Sequence, residues 1–109
     1  MDKIRIYFSE DTPLAEYEAV NKGYRADIFV EINEKIYNVR TYSIIRLQQD
    51  YERLRELTGF YYTDPNLIIV ENTSKEEIIY TINRHYEGKY FDGIKPIDDF
   101  ISEKLVQIQ

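Results

Sequence analysis

His85 is the one side chain in the sequence able to serve as a conventional general base near neutral pH, and each catalytic route from it lacks a second part. Nucleophilic catalysis needs a hydroxyl or thiol activated by that base. The chain has no cysteine. Ser43 and Ser74 stand where helices are expected to begin, so their hydroxyls are engaged as caps, and no Gly-x-Ser-x-Gly turn is present. Ser9 and Ser102 have no motif around them. His85 shares a predicted helical face with Ile78 and Ile82 close to the helix end, which suits a packing histidine that caps carbonyls. A zinc site of histidine and cysteine ligands cannot be built from one His and no Cys. The adjacent carboxylates Glu76-Glu77 and Asp98-Asp99 lack EF-hand spacing and fall at predicted helix starts, where acids complement the helix dipole. The four glycines, Gly23, Gly59, Gly88 and Gly93, sit at helix ends or turns and compose no phosphate-binding loop. The expectation is no enzyme, no metal and no cofactor. An enzyme pairing His85 with a carboxylate is the third reading.

Two other residue types stand out. Eleven of 109 residues are tyrosine, against five phenylalanines and no tryptophan. Tyr37, Tyr51 and Tyr86 fall on predicted core-facing stripes. Tyr61, Tyr62 and Tyr90 fall in predicted loops beside Asp64 and Asp92. Exposed tyrosines serve binding surfaces well, because the ring is large and has few rotamers to freeze. The same rings could instead fold back over a sheet edge. A second group is acidic: Glu10-Asp11, with Glu16 and Glu18 following. Such runs are commonly only a solvated face, but a protein that binds a basic partner also looks like this. The expected partner-binding residues are Glu10, Asp11, Tyr61, Tyr62, Asp64, Tyr90 and Asp92.

Length and charge bound the rest. A chain of 109 residues supports a single domain over residues 1–109. The formal charge of −6 divides into −2 over residues 1–22, zero over 23–58 and −4 over 59–109. An acidic domain without a basic stripe is not expected to bind nucleic acid. The longest apolar run, Leu67-Ile68-Ile69-Val70, is far short of a membrane span, and Met1-Asp2-Lys3-Ile4-Arg5 does not open a signal peptide. A cytoplasmic protein with no membrane partner is expected.

The elements follow from periodicity. Lys3 to Ser9 alternates as a strand with Ile4, Ile6 and Phe8 on one face. Thr12 and Pro13 read as the start of a short helix with Leu14, Tyr17 and Val20 as its apolar stripe and Gly23 as its stop, although a loop fits nearly as well. Ala26–Ile32 and Tyr37–Thr41 pair as a hairpin about Asn33-Glu34, with Val30 opposite Tyr37 and Ile28 opposite Val39. Ser43 caps a helix whose face is Ile44, Leu47, Tyr51 and Leu54, ending at Gly59. Leu67–Val70 reads as a strand buried on both sides. Ser74 and Glu77 form a capping box for a helix ending at Gly88. Ile97, Ile101, Leu105 and Ile108 suggest a final helix capped near Asp98, with an edge strand over Leu105–Gln109 as the other possibility. The fold class is therefore α+β: about four β-strands including a central hairpin, packed against two to four helices, with the helices on one face of the sheet.

Residues 26–50, from Ala-Asp-Ile-Phe-Val-Glu-Ile-Asn to Arg-Leu-Gln-Gln-Asp, and residues 65–97, from Pro-Asn-Leu-Ile-Ile-Val to Ile-Lys-Pro-Ile, resemble small bacterial immunity proteins of polymorphic-toxin and contact-dependent growth inhibition systems. The likeness is one of general character, since the chain is small, acidic and tyrosine-rich and places a hairpin before a helix. These proteins share no catalytic motif, so no residue role is carried over. The resemblance implies a cytoplasmic antidote that binds a cognate toxin, often a nuclease whose basic cleft attracts phosphates. The alternative is a structural or adaptor subunit of a larger or self-associating assembly.

Overall fold

The computed structural model describes residues 4–60, 66–97 and 104–109. In chain order the elements are β1 (Ile4–Phe8), α1 (Pro13–Lys22), β2 (Tyr24–Ile32), β3 (Lys35–Ser43), α2 (Ile44–Thr58), β4 (Leu67–Val70), α3 (Lys75–Glu87), a 3-10 turn (Tyr90–Gly93) and β5 (Val106–Gln107). The five strands form one mixed sheet in the order β4-β3-β2-β1-β5. The β3–β4 pair is parallel, joined by α2, and the other pairs are antiparallel. The α+β class holds.

The hairpin register is the one apolar pairing demands: Ile28 lies opposite Val39, and Val30 opposite Tyr37. Its tip is a two-residue turn in which Asn33 (φ 51°) and Glu34 (φ 66°) are both left-handed. That backbone matches the twist of the flanking strands, even without the glycine such turns favour. Near its other end β2 carries a bulge, so Arg25 and Ile28, three residues apart, pair with Thr41 and Val39, which are two apart. The Asn38 side-chain amide holds the bulge by donating to the carbonyls of Ala26 (3.1 Å) and Ile28 (3.0 Å). Because of the extra residue, Arg25 and Ile28 both face the core.

That core lies on one face of the sheet. Ile6, Phe8, Ile28, Val30, Tyr37, Val39, Ile68 and Val70 meet Ile78 and Ile82 of α3, and Phe91 closes one end. On the opposite face, Tyr24 and Tyr42 pair with ring centroids 4.7 Å apart, and the Arg46 guanidinium of α2 lies 6.0 Å over the Tyr24 ring. Helices therefore cover both faces, not one. The parallel β3–α2–β4 crossover takes α2 over one side while α3 occupies the other.

Four further expectations need correction. β4 is not buried on both sides: it is the outermost strand, and Ile69 is 46% exposed, beyond the cover α2 provides. The final helix is not formed where the chain is described. Ile97 makes an isolated bridge to Ile36, and Val106–Gln107 adds to the edge of β1, so backbone pairing outweighs the four-residue spacing. The proposed cap Asp98 and Ile101 lie outside the described residues. The helix at Pro13–Lys22 does form, with Thr12 as cap and Gly23 left-handed at its end, but its apolar stripe faces outward: Leu14 is 63% and Tyr17 66% exposed, and Ala19 is the residue buried. The stripe of α2 is likewise only partly inward. Leu47 is buried, while Ile44 at the first turn is exposed.

Candidate functional site

The loop from Ser9 to Thr12 carries the first acidic pair, and the bulge of β2 fixes it. Arg25 is 5% exposed, with its guanidinium 3.6 Å over the Phe8 ring. It forms an ion pair of 2.7 Å with Asp27 and donates to the Glu10 carbonyl. The Asp27 carboxylate in turn accepts from the Ser9 hydroxyl (2.9 Å) and the backbone amides of Ser9 and Glu10. A buried guanidinium is tolerated because its plane stacks on an aromatic ring and its donors meet a carboxylate and a carbonyl. The result is a loop whose backbone is held from below while the Glu10 side chain remains at the surface.

α1 then docks against the start of α3. Glu16 reaches across to accept the Lys75 backbone amide (2.8 Å), capping α3 from another helix. Asp11 pairs with the Lys75 ammonium (3.0 Å). The fully buried Thr73 hydroxyl donates to the Ala19 carbonyl. At the far end of α1, the Gly23 carbonyl accepts the Ser43 amide at 2.9 Å and Arg46 donates to the Lys22 carbonyl at 3.0 Å. A Cβ at Gly23 would lie 2.5 Å from the Ser43 hydroxyl, and its φ of +67° also favours glycine. Ser74 caps α3 through the Glu77 amide (3.3 Å), while Asn72 accepts the Ser74 amide (3.0 Å).

The consequence for charge is direct. Residues 9–22 and 71–77 hold seven acids and two bases between them. The hydrogen bonds of Glu16, Asp11 and Thr73 bring those two segments to one end of the molecule. There the potential is negative and, where exposed, decays over a Debye length of roughly 10 Å. The sequence left open whether the acidic regions meet. These parts of them do.

The other expected contact residues are placed differently. Tyr90 and Asp92 follow the C-terminal end of α3, whereas Asp11 sits at its start. A 13-residue helix separates the two groups by about 18 Å, so they do not form one patch. Asp92 is exposed. Tyr90 is turned inward: its hydroxyl donates to the Leu67 carbonyl (3.1 Å), and its ring packs edge-on against His85 (5.1 Å) and Phe91 (5.3 Å). Burial raises its pKa above the usual tyrosine value. Phe91 is buried too, so the exposed reading of this turn is corrected. Both rings close the open end of the core between β4 and α3. Tyr61, Tyr62 and Asp64 lie outside the described residues.

His85 Nδ1 lies 2.9 Å from the Thr81 carbonyl, one turn back along α3. Its ring is packed against Tyr90, as expected of a histidine that seals a helix end. A cleft of about 410 Å³ opens beside this turn, lined by Tyr37, Tyr86 and Phe91 with Lys35, Lys89 and Asp92 at its polar rim. Among the described residues, no three His, Asp or Glu side chains group in a way that could hold a metal ion. Nor is any helix there long and apolar enough to cross a membrane. Tyr7, on the second face of the sheet, has its pKa raised by burial and by the Glu31 carboxylate that accepts its hydroxyl at 2.8 Å.

Sequence reasoning missed Arg25, Asp27 and Thr73, and it placed Glu16 in the acidic group without its bond to α3. Only the Arg-x-Asp spacing within a strand carried a signal, since alternation places such a pair on one face before any bulge. Comparison of the chain with protein-family models, with curated proteins and with solved structures finds no match.

Proposed function

We propose that this chain is a non-enzymatic protein-binding domain that neutralises a basic partner, in the manner of the toxin immunity proteins it resembles. One observation carries the reading. The carboxylates of residues 9–22 and 71–77 are gathered at one end on a backbone fixed by Arg25, Asp27 and Thr73. A pre-set negative surface accelerates encounter with a positive one and costs little ordering when they dock. A nuclease cleft must be positive to hold phosphates, so such a surface competes with nucleic acid for the same charge.

The reading is tested by isolating what co-purifies with the tagged chain from its native host and following that partner's nuclease activity and its binding rate to the purified chain. Inhibition is expected, with association slowed several-fold at low salt by Glu10→Lys while dissociation changes little. An uninhibited toxin, or a rate blind to both salt and Glu10→Lys, would remove the reading.

Self-assembly is the second reading. Its support is the exposed pair Ile44 and Ile45 at the start of α2. A concentration-dependent dimer abolished by Ile45→Glu, in a chain that inhibits nothing, would favour it.

A further inference from the structure

We infer that the outward face of α1, the row Leu14, Tyr17 and Val20, is a docking helix whose occupant is a protein surface with a basic rim and an apolar floor. This deepens the proposed function, on which it rests, by naming the desolvated centre of the contact. The row is both apolar and uncovered, at 63%, 66% and 44% exposure. It belongs to a helix tied down at successive turns: the Thr12 cap on the Ala15 amide (3.1 Å), Glu16 on the Lys75 amide, Ala19 under Thr73, and Lys22 under Arg46. Ten residues make a helix too short to persist alone, so these ties keep it ordered while its apolar side stays in water. A helix face held in this way loses little conformational freedom on binding.

The charge around the row selects the occupant. Glu18 borders it on α1 itself, and Glu10, which accepts the Thr12 hydroxyl at 3.2 Å, lies at the head of the helix. A second copy of this end would be repelled. A groove rimmed by lysine or arginine, with a floor that takes the Leu14 and Tyr17 side chains, is complementary in both respects. Tyr17 supplies the large rigid ring typical of interface centres, a role the inward-turned Tyr90 cannot fill.

The probe is an amphipathic helical peptide of about 18 leucine and lysine residues, which carries the same chemistry in about five turns. A leucine and glutamate peptide of equal length is the control. With ¹⁵N-labelled protein at low salt, the basic peptide is expected to shift amides centred on residues 14–21. Tyr17→Ala and Leu14→Ala should each weaken it about tenfold. The exposed but distant Leu57→Ala should leave affinity unchanged, as should the unfolding midpoint of every variant. About 0.5 M salt should weaken the complex several-fold. Shifts centred elsewhere, equal binding of the acidic peptide, or no shift at millimolar peptide would overturn the inference. Its fate is separable from that of the proposed function. If the peptide docks on α1 but no toxin is inhibited, neutralisation fails and the docking helix stands. If a toxin is inhibited equally by the Tyr17→Ala protein, the docking helix fails and neutralisation stands.

Discussion

Both α1 and α3 open on a hydroxyl cap and carry apolar residues at helical spacing, yet Ile78 and Ile82 of α3 are fully buried while Leu14 and Tyr17 of α1 stand largely in water. The spacing itself separates them. Steps of three residues, as from Leu14 to Tyr17 to Val20, each fall about 60° short of a turn, so the row winds around the helix. A step of four followed by three, from Ile78 to Ile82 to His85, nearly returns to the same line. The second row keeps to one line along the sheet, whereas the first drifts by about 120° across the helix surface. α1 is instead held by a small buried residue, Ala19, and by hydrogen bonds to Lys75, Thr73 and Arg46. A cap thus announces a helix, but it does not say which side of it the protein will cover.

The sharpest way to break the comparison is to truncate both rows. Ile82→Ala should cost about 2–5 kcal/mol in urea unfolding, because it leaves a cavity under α3. Leu14→Ala should stay within about 0.5 kcal/mol. Equal losses would mean that α1 packs on its apolar side after all. A smaller effect is expected at the polar ties. Arg25→Met keeps the apolar stem over Phe8 but strands Asp27 and the Glu10 carbonyl, and should cost about 2–4 kcal/mol. It should also speed amide exchange in residues 9–12 more than in α3, and uniform exchange would deny the loop its anchor.

The smallest effect belongs to the other end of α3. Tyr90→Phe removes one hydrogen bond to Leu67 and should cost about 1 kcal/mol at neutral pH. Because burial raises the Tyr90 pKa in the folded state, its contribution is complete below the unfolded value of 10.0 and is lost as pH climbs through the raised one. The wild-type protein should therefore lose more stability than the Phe variant in that alkaline window, as read by unfolding midpoints. Parallel loss in both would place the ring outside the packed end.

Much of the fold was legible because local chemistry and global packing agree. The hairpin register follows from placing Ile28 against Val39 and Val30 against Tyr37, and the caps Thr12, Ser43 and Ser74 all accept the amides expected of them. What was not legible depends on partners distant in the chain. Glu16 caps a helix that begins 59 residues later, and Asn38 holds a bulge 10 and 12 residues before it. No periodicity encodes either. At Val106–Gln107 two backbone pairs with β1 select the edge strand over the helix that the four-residue spacing also allows. Of the expected contact residues, Glu10 and Asp11 fall on the acidic end, whereas Tyr90 had looked exposed only because its turn is polar and glycine-ended.

The acidic end also has a temporal meaning. Its defining contacts, Thr73 with Ala19 and Lys75 with Asp11, join residues 54 and 64 positions apart. Contacts that close such long loops carry a larger chain-entropy penalty than the hairpin does. A ribosome-bound chain that has released β1 to α2 but not α3 has no means of assembling that end. The surface is displayed only once the first turn of α3 has joined α1, so any partner that reads it is reading the docking of those two helices as well as their charge.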